Sequence, residues 1–388
     1  MQLVLSMEAK YYKKLDEGKV LCYLCAHRCE IKDGKKGICG VRENRGGTLY
    51  TLIYGKLIAH HADPIEKKPL FHFQPGKFSF SVSTIGCNFQ CLHCQNADIS
   101  QMPKDQDQIF GEDVSPQQIV DMAISSKCES VSYTYTEPTI FMEYAYDIAV
   151  IASKKGLKNV MVTNGYMTKE VMEQVKPFFH AANVDLKSFR EDFYKKICKA
   201  KLSHVLDAIQ FLKEMGMWIE VTTLIIPTKN DSKEELREIA KFIYNVDPGI
   251  PWHISAYHPT YKMTQFNRTP LSVIKKAREI GFEEGLRYVY AGNVPGNEGE
   301  NTYCHKCKKL LIERYGFSVI QNHIKRQVAA TKRSYRSGEQ TEPCIRRCNN
   351  NNLTPPKNSS QKEKLLRCNS IKDFKCPYCY AEIDGVEM

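Results

Sequence analysis

The chain has 388 residues, of which 42% are hydrophobic, enough for two or three domains with sizeable cores, so wholesale disorder is excluded. Lys and Arg number 55 against 44 Asp and Glu, a formal net charge of +11, but the stretch 325–375 alone holds 13 of the basic and 4 of the acidic residues. A fold built to grip nucleic acid would spread such charge over a structured face, so a polyanion-binding core is disfavoured.

No apolar run approaches the roughly 18 residues of a membrane helix. The opening MQLVLSMEAK has neither a basic leader nor a long apolar stretch, so it does not read as a signal peptide. A cytoplasmic protein with no membrane association is expected. Cysteine is over-used, at 16 residues. At that frequency chance supplies less than about one C-x2-C pair. Four occur: Cys22/Cys25, Cys91/Cys94, Cys304/Cys307 and Cys376/Cys379. In a reducing compartment clustered thiols hold metals or do redox work.

In chain order, residues 1–75 form a Cys-rich N-terminal region with Cys22, Cys25, Cys29 and Cys39, many glycines and a strand near 48–54. From 76 to 295 strands and helices alternate. A strand at 78–82 runs into Cys87. Ser115-Pro116 opens a helix to about 125 as N-cap and first helical residue. Strand 130–135, helix 139–154, strand 159–163, helix 168–178, strand 182–186 and helix 203–215 follow. Strand 218–226 precedes a helix whose start, Ser232 to Glu235, has capping-box spacing. Strand 253–257, a helix opened by Thr269-Pro270 and strand 287–290 complete the series. Seven strands and six helices with short connections imply an α/β fold, a partial (β/α)6-type TIM barrel. Residues 296–388 form a C-terminal region in which Cys304/Cys307 and Cys376/Cys379 read as halves of one zinc ribbon. A basic, Asn- and Pro-rich insertion at about 325–375, disordered by composition, parts them and puts the ribbon's closure in question.

The sharpest chemical signal is Cys87-x3-Cys91-x2-Cys94, just after the first strand of the series, on the face where barrel active sites assemble. Three thiolates on a [4Fe–4S] cube leave one iron open for chemistry, whereas a structural zinc site would need His93 or a distant cysteine as its fourth ligand. Cys22, Cys25, Cys29 and Cys39 supply four thiolates, enough for zinc or an auxiliary cluster. Cys128, Cys198, Cys344, Cys348 and Cys368 fit no site.

The three-cysteine motif resembles that of radical S-adenosylmethionine (radical SAM) enzymes. The stretches 63–76 (DPIEKKPLFHFQPG), 87–100 (CNFQCLHCQNADIS), 133–140 (YTYTEPTI), 162–166 (VTNGY), 184–189 (VDLKSF), 251–261 and 288–296 are together similar to the AmmeMemoRadiSam radical SAM family, relatives of the glycyl-radical-enzyme activases. The resemblance implies a [4Fe–4S] cluster on Cys87, Cys91 and Cys94, and S-adenosylmethionine cleaved reductively to a 5′-deoxyadenosyl radical that abstracts hydrogen. It also implies an external electron donor of flavodoxin or ferredoxin type and an unknown protein or small-molecule substrate, with pyruvate formate-lyase-like activation as the alternative.

Cofactor contacts implied by the resemblance fall on Thr136, Glu137, Asn164, Asp185, Lys187 and His258. Each has a structural alternative. Glu137 can cap a helix, Asn164 can be a turn residue at positive φ, and Asp185 with Lys187 can be an ion pair. His253 reads as a core histidine. A rival in another class is a non-catalytic, zinc-stabilised nucleic-acid adaptor using the basic insertion.

Overall fold

The polar and apolar residues of Phe78–Ser83 alternate strictly, yet Ser79, Ser81 and Ser83 are as completely buried as Phe80 and Val82. Such a strand must have structure on both faces. In the computed structural model, which describes residues 7–326 and 374–388, it lies in an eight-stranded sheet. The strands are β1 (Ala59–Pro64), β2 (Phe78–Ser83), β3 (Ser130–Tyr133), β4 (Lys158–Thr163), β5 (Ala181–Asp185), β6 (Trp218–Ile225), β7 (Trp252–Ala256) and β8 (Val289–Gly292), neighbours in strict chain order. β1 is antiparallel to β2, and β2 through β8 are parallel.

The helices of seven or more residues between parallel strands are α1 (Pro116–Ser125), α2 (Met142–Lys154), α3 (Lys169–Val175), α4 (Leu202–Glu214), α5 (Lys233–Val246) and α6 (Leu271–Glu283). The seven parallel strands and six helices are those the sequence implies. Among the described residues no ladder joins β8 to β1, so the barrel is open. No helix there is long and apolar enough to cross a membrane.

Helix starts follow local chemistry. Ser115 and Gln118 make a reciprocal capping box with Pro116 at the first position. At Ser232 only half the box forms. The Ser232 hydroxyl accepts from the Glu235 amide, but the Glu235 carboxylate turns away to accept from the Ser188 hydroxyl and the Phe189 amide, tying α5 to the loop after β5. Thr269 does not cap α6, whose N-cap is Pro270. Its hydroxyl donates to the Ile225 carbonyl and accepts from the Tyr257 amide, joining the ends of β6 and β7.

The polar face of the sheet forms the barrel interior, where Ser79 contacts Ser132, Ser81 donates to Asp63, and Thr222 donates to Asn183. Residues 65–76 cross the open seam. The Phe71 and His72 amides donate to the Glu220 carboxylate at 2.9 and 2.8 Å, and Trp218 Nε1 and His253 Nε2 complete four donors on it. Lys68 reaches back to Asp63 on β1, while Phe71 packs on Tyr290 of β8. β1 and this plug precede residue 76, so the region expected to end at 75 supplies part of the barrel's own sheet. The strand expected near 48–54 is Thr48–Thr51, in a separate three-stranded sheet.

The C-terminal region locks the plug. Arg314 in Leu310–Tyr315 donates to the Phe71 carbonyl, lies 4.4 Å over the Phe71 ring and pairs with buried Glu66. The Gln74 amide donates to the Val386 carbonyl, and the Val386 amide to the His72 carbonyl. Most of the expected disordered insertion lies outside the described residues. Its ends do not fit that expectation, because Lys325–Arg326 and Phe374–Lys375 pair as antiparallel strands. The ribbon halves meet: the Sγ atoms of Cys304, Cys307, Cys376 and Cys379 all lie within 4.8 Å of one another.

Candidate functional site

The segments following the C-terminal ends of β2 to β5 converge on a cavity of about 310 Å³. Cys87, Cys91 and Cys94, on the loop after β2, open onto it together with Thr136, Glu137, Asn164, Asp185 and Lys187. Eight of the nine residues singled out from the sequence therefore share one cavity. The ninth, His258, is exposed in an adjoining cavity of about 690 Å³, with Arg268, His253 and Glu300. The two cavities share Pro69, Gln95, Ser255 and Asn293 in their walls.

The cysteine loop is held from the far side. The Gln90 amide donates to the Cys198 carbonyl and the Leu92 amide to the Ile197 carbonyl, at 3.0 Å each. Both acceptors lie in a π-helical turn, Tyr194–Cys198, a deformation common near functional sites. The neighbouring Cys198 thiol and burial together push the Cys91 thiol well above the ordinary thiol range. Cys198, assigned no site from the sequence, thus belongs to the wall behind Cys91. Burial likewise raises the Cys87 and Cys94 thiols, which in this environment need a cation to ionise.

Glu137 is 2% exposed. Its Oε1 accepts from the Thr139 amide and from the hydroxyls of Thr139 and Thr163, and its Oε2 from the Asn164 amide at 2.8 Å. It caps the turn Pro138–Phe141 and ties the ends of β3 and β4 together. Asn164 does not take positive φ; Gly165 does, at +73°. The Asn164 carbonyl oxygen accepts from the Tyr166 amide, leaving its NH2 to donate to Asn88 Oδ1 at 2.7 Å beside Cys87. The Thr136 hydroxyl donates to the Thr84 carbonyl at 2.8 Å.

Asp185 and Lys187 form the ion pair, with Nζ 2.8 Å from Oδ2, and remain on the cavity wall with side chains 34% and 15% exposed. Burial pulls the Lys187 ammonium down, but Asp185, Cys91 and Cys198 outweigh it and hold its pKa well above the ordinary lysine value. His253 is buried against Glu220, as expected of a core histidine, although its ring also reaches the larger cavity.

The opposite wall comes from residues to which the sequence reading assigned no role. Asp63 accepts from Lys67, Lys68, Ser81 and Tyr135, which overcome its burial and hold its carboxyl below the usual range. Lys68 is pushed down to about 8 by burial. Tyr135 sits at φ +64°, a conformation unusual for an aromatic residue and suggestive of a functional constraint. Lys67, Lys68 and Tyr135 all line the cysteine cavity. The signal for them lay in the DPIEKK run, whose charges only make sense once β1 joins the sheet.

A cluster with an amino-acid-bearing cofactor fits these residues. Three thiols share one cavity, and beside them Asn88 Nδ2 and His93 Nδ1 are buried without a partner. Both signs of charge face the same space through Lys67, Lys68, Asp185 and Lys187. Neutral His93, held to a pKa of about 3 by burial, adds no competing charge.

Comparison with known proteins agrees. The model of the radical SAM superfamily matches residues 81–243, β2 to α5. The protein MJ0808 of Methanocaldococcus jannaschii is 49% identical over 312 residues, covering 80% of this chain and 92% of that one. The pyruvate formate-lyase-activating enzyme of Clostridium pasteurianum is 23% identical over 201 residues, 50% of this chain and 80% of its own. Among solved structures, a radical SAM methyltransferase from Sphaerobacter thermophilus aligns with a TM-score of 0.45 at 14% identity, over 61% of this chain and 71% of that one.

Proposed function

Since this chain belongs to the radical SAM superfamily, in the branch related to glycyl-radical-enzyme and pyruvate formate-lyase activating enzymes, we propose that Cys87, Cys91 and Cys94 hold its catalytic [4Fe–4S] cluster and that the cavity they line binds S-adenosylmethionine. One observation carries this reading: three cysteines and five strand-end polar residues named from the sequence open onto a single cavity at the ends of parallel strands. Membership in an enzyme superfamily sets aside the non-catalytic adaptor. When bound, the cluster and S-adenosylmethionine together supply a 5′-deoxyadenosyl radical.

The chain's own residues divide the remaining work. Asp185 and Lys187 present opposite charges to a zwitterionic ligand, each already oriented by the other. Glu137 positions Asn164 and Thr163, and its Oε2, which accepts only the Asn164 amide, keeps an acceptor site for the ligand. The plug at 65–76 and Arg314 keep water from entering through the open seam. The adjoining 690 Å³ cavity takes the substrate, with His258 and Arg268 as its polar contacts and an unpartnered Glu66 oxygen in its wall. An external flavodoxin- or ferredoxin-type protein donates the electron.

The relation to an activating enzyme supports a second, finer reading, in which the substrate is a protein glycyl residue. Anaerobic reconstitution followed by reduction tests the first reading: wild type should yield 5′-deoxyadenosine and methionine. Any one Cys→Ala change at 87, 91 or 94 should abolish this. A wild-type protein that carries the iron but never cleaves the cofactor would overturn it.

We also propose that Cys304, Cys307, Cys376 and Cys379 bind one structural zinc. Their Sγ pairs 304/379 and 307/376 stand 3.6 Å apart. Zinc–sulfur bonds of about 2.3 Å in a tetrahedron put sulfurs about 3.8 Å apart.

A further inference from the structure

Four more cysteines cluster in the N-terminal region. Cys22, Cys25, Cys29 and Cys39 line one small cavity near the start of the chain, shared with His27, Arg42 and Ile140. Cys22 and Cys39 are buried, and all four thiols are free. A Cβ on Gly37 would stand 3.2 Å from Ile31 Cδ1, a tight approach, and in ordinary contact with Cys29 Sγ at 3.8 Å.

An independent sign of an occupant comes from Arg42. Its side chain is 1% exposed, and Nη1 and Nη2 donate to Glu143 at 3.0 and 2.9 Å. Its Nε is buried and has no acceptor. A guanidinium N–H left unpaired on the wall of a four-sulfur cavity is a donor awaiting an acceptor, and thiolate or sulfide sulfur supplies one.

Sulfur spacing selects the occupant. Among the described residues only the ribbon cysteines bring three or more ligand atoms within 4.8 Å of one another, as one tetrahedral ion demands. The four N-terminal cysteines share a cavity, yet no three of their sulfurs meet that spacing, and neither do those of Cys87, Cys91 and Cys94. A cube seats each thiolate on a separate iron and needs the wider spacing. We propose that Cys22, Cys25, Cys29 and Cys39 hold a second [4Fe–4S] cluster, fully ligated, with Arg42 Nε as its hydrogen-bond donor.

Four thiolates leave no open iron, so this cluster takes up and gives up one electron without making a bond. Its neighbourhood suits that service. His27 Nε2 meets the carbonyl of Asn88, the residue after Cys87, at 2.9 Å, and Lys104 Nζ donates to the Phe89 carbonyl on the same loop.

The test uses the full chain, reconstituted anaerobically with iron and sulfide. Wild type should hold about eight irons per chain and one zinc. The triple variant Cys87→Ala, Cys91→Ala, Cys94→Ala should keep about four irons, with a reduced-state EPR signal that added S-adenosylmethionine does not alter. Should that variant misfold, the pair Cys22→Ala, Cys39→Ala should hold about four, with a signal that the cofactor does alter. Two zinc ions and about four irons in wild type, or a folded triple variant without iron, would overturn the second cluster. The assignment does not rest on the radical chemistry proposed for Cys87, Cys91 and Cys94. Eight irons with no cofactor cleavage would refute that chemistry and leave the second cluster standing.

Discussion

Glu137 and Asp185 are both strand-end carboxylates on one cavity, yet they should fail differently when removed. Glu137 satisfies four buried donors. Glu137→Ala should cost about 2–4 kcal/mol of stability, read from urea unfolding, since buried donors left unpaired carry their full desolvation cost. Asp185→Ala should instead weaken S-adenosylmethionine binding, read by titration of the reconstituted protein, with iron content unchanged and the urea midpoint nearly so. His72 carries a pH prediction. Its Nε2 accepts from the Tyr290 hydroxyl and its Nδ1–H donates to the Asp384 carbonyl, so the ring is neutral, and burial pushes its pKa down to about 4. The unfolded chain binds this proton from about pH 6.5 downward while the folded chain does not. Stability is therefore complete above pH 6.5 and falls by about 3 kcal/mol as the pH drops to 4. Denaturation midpoints at pH 7 and pH 4.5 should show a smaller loss in His72→Gln than in wild type.

At the scale of elements, the C-terminal hairpin and ribbon act on the barrel through Arg314. Arg314→Ala leaves the Glu66 carboxylate buried without its cation, and thermal or urea unfolding should show a loss of about 3–5 kcal/mol. Replacing Cys304 and Cys307 with Ser should lower the melting temperature in the same direction, with iron content retained. The elements themselves were legible because their boundaries are written locally: Ser115 as N-cap with Pro116 at the first helical position, and the capping-box spacing from Ser232 to Glu235. That eight of the nine named residues share one cavity was legible through the family resemblance, which puts them at successive strand ends. What was not legible is non-local. The serines of β2 look like a solvent face, and only a second layer at 65–76 reveals them as interior. Arg314 is one basic residue among 55 until its partner Glu66, 248 positions away, is seen. His258 carries a family match but no local sign of which of two contiguous cavities it enters.

At the scale of the whole molecule, catalytic barrel, N-terminal cysteine region and ribbon share one body, while the basic segment enters and leaves it at a single place. Arg326 and Phe374 are directly paired antiparallel residues. Directly opposed residues in such a pair lie about 4.5–5.5 Å apart, a gap that a two-residue turn closes. Replacing 327–373 with Asn-Gly should therefore leave iron content, zinc content and cofactor cleavage within error of wild type. Loss of the folded state on this excision would place part of that segment in the core.

The clasp between residues 72–74 and Val386 also has a meaning in time. Strands that pair in chain order can assemble as they emerge from synthesis, each on its predecessor. The seam obeys no such order, for its closing hydrogen bonds join positions about 312 apart, and contacts of that span come late and slowly. Until they form, a barrel with all its strands in place still has an unsealed lumen of serines, Glu220 and His72 facing water. Closure of the seam therefore waits on Asp384 and Val386, and it is the long-range step that follows the local pairing of the strands.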